Sequence, residues 1–110
     1  MSIQHRELAA GRWFELSLVD QMANVGSEVE RAMHWRRQGK DDHSAKALER
    51  ALELLELTIS DAGNRGRLRE LTRVREALQD DFCGTNQYGS TDELWSKYFY
   101  AFAYAARRLR

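Results

Sequence analysis

The sequence predicts an all-α protein, an antiparallel up-down-up-down four-helix bundle forming a single domain over residues 1–110, and three features of the chain point there. It contains no proline, so the residue that most strongly interrupts helices is missing. Its breaks fall at Gly39-Lys40-Asp41-Asp42, at Asp61-Ala62-Gly63-Asn64 and across Gly84 to Ser90, leaving four stretches each long enough for a helix. Within those stretches the apolar residues recur at helical spacing, with no strand-like alternation, no Asn-Gly hairpin signal and no low-complexity linker. Such short connections favour antiparallel neighbours.

The first helix is expected over about 13–38, preceded by a segment over 1–11 that is either flexible or a short extra helix. Phe14, Leu18, Met22, Val25, Val29, Ala32 and Met33 fall on one side of it, with Val19 and Gly26 at the edge. A glycine inside a helix costs about 1 kcal/mol relative to alanine, so Gly26 implies close approach of a neighbour. The second helix, about 42–60, carries two adjacent apolar rows, Leu48, Leu52, Leu55 and Ile59 beside Ala47, Ala51, Leu54 and Thr58. So wide a face suits contact with two neighbours.

The third helix, about 64–82, aligns Leu68, Leu71, Val74, Leu78 and Phe82, with Asn64 read as its N-cap. Arg75 lies among these apolar residues and needs an acidic partner, with Glu28 or Glu53 expected, or an escape to the rim. The fourth, about 91–108, opens with Ser90-Thr91-Asp92-Glu93, a pattern in which Ser90 and Glu93 can cap each other's end of the first turn. Its expected core face is Leu94, Trp95, Tyr98, Phe102, Ala105, Ala106 and Leu109, and its terminal arginines suit the negative end of the helix dipole.

Charge and composition exclude several classes. Seventeen basic and seventeen acidic residues give a formal net charge of zero, so any affinity for nucleic acid must come from a local patch. No stretch approaches the roughly 20 apolar residues of a membrane span, and the start Met1-Ser2-Ile3-Gln4-His5-Arg6-Glu7 lacks the apolar core of a signal peptide, so a cytoplasmic protein without membrane contact is expected. The single Cys83 offers no metal-site spacing and reads as a small apolar residue near a helix end.

Function is sought in residues the core leaves unexplained. Asp20, Asn24, Ser27 and Arg31 share the face of helix one opposite its apolar stripe, with Trp13 and Trp35 on or beside the same line. A polar stripe alone is a solvated face, but a large ring at each end resembles a protein interface, with a ligand cleft as the sharper alternative. Tyr100 and Tyr104 lie one turn apart on the outer face of helix four among Lys97, Arg107 and Arg108, which suits self-association or, alternatively, stacking on unpaired bases. Arginine outnumbers lysine 14 to 3, and Arg65, Arg67, Arg69, Arg73 and Arg75 crowd eleven positions. That density fits nucleic-acid contact, salt bridges to Glu49, Glu53 and Glu56, or codon bias.

Catalytic patterns are sparse. His5, His34 and His43 form no paired Glu-x-x-His motifs, and Glu30 with His34 supplies only two ligands, so neither a metal site nor a cofactor is expected. No nucleophile triad, phosphate-cradling glycine loop or nucleotide fingerprint is present. Arg37-Gln38-Gly39-Lys40-Asp41-Asp42-His43 resembles the motif of HEPN ribonucleases, small helical domains in which paired arginine and histidine cleave RNA across a dimer. That resemblance implies Arg37 stabilising phosphate and His43 transferring the proton, although Gly39 and the two aspartates imply a loop where that family has helix.

The stretch from Asp20 to Ala32, with Leu94-Trp95-Ser96-Lys97-Tyr98-Phe99-Tyr100, is similar to short prokaryotic all-helical proteins to which no activity is assigned. The general architecture also resembles four-helix proteins encoded in ribosomal RNA intervening sequences. The expected function is therefore binding. A homo-oligomer and a protein partner are expected through Trp13, Asp20, Asn24, Arg31, Trp35, Tyr100, Tyr104 and Arg108, with an RNA-binding or HEPN-like role as the alternative.

Overall fold

A computed structural model describes residues 11–109. The reading of residues 1–10, including His5, lies outside them. Trp13–Glu15 form a single 3-10 turn, followed by α1 (Leu18–Arg37), α2 (Asp41–Ser60), a 3-10 helix (Ala62–Arg67), α3 (Leu68–Cys83) and α4 (Asp92–Arg108). No strand occurs among the described residues, so the all-α, four-helix expectation holds.

The helix starts differ from expectation for local reasons. Ser17 has extended backbone and its hydroxyl accepts from the Asp20 N–H, so α1 begins after it and the Trp13–Glu15 turn stands apart. That separation turns Trp13 into the core and leaves Phe14, expected there, 41% exposed. Asn64 does not cap α3: it is buried within the 3-10 helix, which Asp61 caps by accepting from the Gly63 N–H, and α3 itself follows Arg67 with no side-chain cap. Thr91, one residue after the expected Ser90, caps α4 by accepting from the Leu94 N–H at 3.1 Å. Ser90 instead donates its N–H to the side chain of Asn86. The turn between α1 and α2 requires Gly39, whose φ of +74° is the left-handed conformation that side chains resist.

The core is continuous across the four helices. α1 supplies Met22, Val25, Val29, Ala32 and Met33; α2 supplies Leu48, Ala51, Leu54 and Leu55; α3 supplies Leu71, Val74 and Leu78; and α4 supplies Trp95 and Phe99. α1 packs against both α2 and α4, and α2 also packs against α3, the two neighbours its wide apolar face predicts. α4 is rotated relative to its expected face. Leu94 and Leu109 are 56% and 74% exposed, while Phe99, absent from the expected set, is buried. Gly26 explains the rotation: a Cβ there would stand 2.7 Å from the Cβ of Phe99, so only glycine lets α4 seat that ring on α1.

Candidate interaction surfaces

The stripe expected on α1 loses one of its two rings. Trp13 is only 2% exposed and its indole N–H donates to the Thr58 hydroxyl at 3.2 Å, which makes it a core residue and not a surface anchor. Around it closes a buried network. The Gln21 amide donates to the Trp13 carbonyl and to Asp61, and its oxygen accepts from Asn64, whose amide also donates to the Thr58 carbonyl. Thr58 completes the set by donating to the Leu54 carbonyl. Every polar atom of Gln21 is thereby satisfied, as a fully buried amide requires. Sequence reasoning missed Gln21, although its position three after Leu18 and four before Val25 was the available signal.

The rest of that stripe is committed locally. Asn24 and Ser27 donate to the Asp20 and Ala23 carbonyls of their own helix, and Arg31 pairs with Glu28 at 3.2 Å. Trp35 is half-buried, with His34 and His43 ring centroids 5.0 and 4.8 Å away. Asp20, Asn24, Arg31 and Trp35 thus lie along one helix but do not converge on a cleft.

A second polar centre, unforeseen from sequence, joins the end of α1 to α3 and α4. Arg36 bonds Asp81 at 3.2 Å and Asp92 at 2.8 Å, Arg37 bonds the other oxygen of Asp92 at 2.8 Å, and the Trp95 indole donates to Asp81 at 2.9 Å. The Arg36 guanidinium also lies 3.9 Å above the Phe82 ring. Burial alone would lower the Arg36 pKa, but its bonds to Asp81 and Asp92 outweigh that and raise it. Arg37 is directed to Asp92 on α4 while His43, in the first turn of α2, packs on Trp35, so the pair considered for RNA cleavage is held by different partners. Cys83 closes α3 as expected, but it is exposed.

The tyrosine pair is on the surface. Tyr100 and Tyr104 are 60% and 47% exposed, with ring centroids 6.2 Å apart and planes inclined by 30°. Arg107 lies 6.0 Å from the Tyr100 ring and Arg108 5.9 Å from the Tyr104 ring. Beside them a groove of about 420 Å³ separates α4 from α1, with Gly26 and Phe99 on its apolar lining and Tyr100 among its walls. Ser96 donates to Glu30 across it at 2.7 Å.

The arginine-rich start of α3 divides into paired and unpaired members. Arg75 reaches Glu56 on α2, so it is paired as its apolar setting demands, though not with Glu28, which serves Arg50 at 3.2 Å. Arg67 bonds Glu70 at 2.8 Å, and the Tyr98 hydroxyl donates to the same carboxylate at 2.6 Å. Burial alone would raise the Glu70 pKa, but the bonds from Tyr98 and Arg67 pull it below the ordinary value; burial and Glu70 together push Tyr98 upward. Arg65, Arg69 and Arg73 are exposed and make no ion pair among the described residues.

Among the described residues no group of three His, Cys, Asp or Glu side chains is placed to hold a metal ion, and no helix is long and apolar enough to cross a membrane. No family model, curated protein or solved structure matches this chain.

Proposed function

We propose that this chain is a binding protein that works as a homodimer, with the α4 helices of two copies laid antiparallel and Tyr100 and Tyr104 at the centre. The carrying observation is the exposed, stacked tyrosine pair. Two large rings held against each other in water retain apolar area that a partner can cover, and Tyr with Arg is the composition of interface anchors.

The charges around the pair favour a second copy as that partner. Glu93, Lys97, Tyr100, Tyr104 and Arg107 are all exposed and follow one another at three- and four-residue spacing, so they form one line along α4. Tyr100 is midway between Glu93 and Arg107. A two-fold axis at Tyr100 sets Glu93 of each copy against Arg107 of the other, so the face is complementary to itself. Exposed Leu94 and Ala101 flank the line and extend the apolar strip. Within each copy, the short turn at Gly39 and the shared core support the up-down-up-down order of an antiparallel bundle.

Light scattering on the purified chain tests this reading. The wild type is expected at twice the chain mass and Tyr100→Ala with Tyr104→Ala at the chain mass, both with unchanged helical circular dichroism. Glu93→Arg should weaken the dimer, and adding Arg107→Glu should restore it by swapping the pair. A wild-type monomer, or a dimer indifferent to both sets of changes, sinks the proposal.

A further inference from the structure

We propose that the start of α3 binds the phosphodiester backbone of a single-stranded nucleic acid through the row Arg65, Arg69 and Arg73. These residues do not belong to the dimer face, and the inference stands whether or not the chain dimerises.

The first argument is what the other arginines do. Arg31, Arg36, Arg37, Arg50, Arg67 and Arg75 each meet a carboxylate within the fold, Arg107 and Arg108 lie beside the Tyr100 and Tyr104 rings, and of the described arginines outside the row only Arg12 is without such a contact. Arg65, Arg69 and Arg73 have none among the described residues, and all three are exposed. Their positive charge is available to something outside the chain.

The second is that their placement works against the helix that carries them. Arg69 is the second residue of α3 and Arg65 lies in the 3-10 helix leading into it. Cations at that end oppose the helix dipole, and like charges one turn apart repel. A bound polyanion relieves both penalties together.

The third is geometry. Within α3, four-residue spacing sets Arg69 and Arg73 on one face about 6 Å apart along the axis, a step suited to successive phosphates of an extended strand, and Arg65 precedes them in the 3-10 helix that leads into α3. Guanidinium forks engage phosphate oxygens in pairs of hydrogen bonds. Arg67, Arg69, Glu70, Arg73 and Tyr98 border a shallow groove of about 610 Å³ beside the row. The one carboxylate there, Glu70, is already met by Arg67 and the Tyr98 hydroxyl, so the groove remains positive. Tyr98 borders the same groove, half-buried against Phe99 and Phe102, and evenly spaced phosphates match paired guanidinium forks more closely than the irregular carboxylates of an acidic peptide.

Fluorescence anisotropy with a labelled oligouridylate, and in parallel the matching oligothymidylate, over a salt series tests the site. Saturable, salt-sensitive binding is expected. The variant Arg65→Gln, Arg69→Gln, Arg73→Gln should bind at least about tenfold more weakly at low salt, with a log–log salt slope shallower by about 2, while Arg12→Gln with Lys46→Gln, at exposed positions elsewhere, binds as wild type. All three positions are exposed, and circular dichroism verifies that the variant keeps its helices. Tighter binding of the ribose strand would assign RNA, and equal binding would assign the backbone common to both. Absence of saturable binding, equal binding by the triple variant, loss caused instead by the Arg12 and Lys46 changes, or displacement by polyglutamate at equal charge would overturn the inference.

Discussion

The two ends of α1 are fastened by different chemistry. At its start, Trp13, Gln21, Thr58 and Asn64 form a buried network made almost wholly of neutral amide, indole and hydroxyl groups, with Asp61 at its margin. At its finish, Arg36 and Arg37 tie two helices together through Asp81 and Asp92, and the Arg36 side chain is one-third exposed. The neutral end draws its stability from packing and from satisfied hydrogen bonds in a dry interior, which salt barely reaches. The ionic end must offset the desolvation of its charges, so its members cost most when one partner is removed and the other is left behind. One end is a plug of the core; the other is a clasp at its edge.

The largest effect is expected at the plug. Trp13→Ala should lower stability to urea by about 4 kcal/mol, since a fully buried ring leaves a cavity and Thr58 and Gln21 lose their partner surfaces. The loss should be the same in low and high salt. Arg36→Met should cost about 3 kcal/mol, because Asp81, whose side chain is only 7% exposed, loses its guanidinium and keeps only the Trp95 indole. Asp81→Asn in the same chain should recover part of it. If Arg36→Met proves the more damaging of the two, the clasp dominates and the comparison is reversed.

The smallest effect sharpens the contrast through pH. Tyr98→Phe removes a hydrogen bond to the Glu70 carboxylate and should cost about 1.5 kcal/mol at neutral pH. Glu70 titrates below its ordinary value in the folded chain, so its contribution is present above the usual carboxylate range and is lost as pH falls through the depressed value. Tyr98 titrates above its ordinary value, so its contribution is complete below that value and is lost as pH rises through the elevated one. Urea unfolding at successively lower pH should therefore narrow the gap between wild type and Tyr98→Phe as Glu70 takes up its proton, while the Trp13→Ala deficit persists. A constant difference between wild type and Tyr98→Phe across that range would show that the Tyr98 hydroxyl does not act through ionised Glu70.

Much of this is legible in the sequence where the cause is local. Gly39 ends α1 because the turn needs positive φ, and Gly26 marks a close approach because nothing else excuses a glycine within that helix. The exposed tyrosines follow from their position opposite Trp95 and Phe102 on a period of 3.6 residues. Trp13 escaped because its side depends on whether helix one begins before or after Ser17, a choice that shifts no apolar period. The partner of Arg75 escaped because Glu28, Glu53 and Glu56 all lie within reach of a reader who knows helix faces but not how the helices are offset along their axes.

What the sequence by itself determined is therefore the number of helices, most of their stripes and the residues left over for function, since those depend on spacing within one segment. The tertiary structure decided which Trp is core, which face of α4 meets Gly26, and which arginines find carboxylates, because each of those is a contact between segments far apart in the chain. Buried polar groups are where the two differ most. A lone Gln, Asn or Asp looks like surface until the fold supplies the partner that makes its burial affordable.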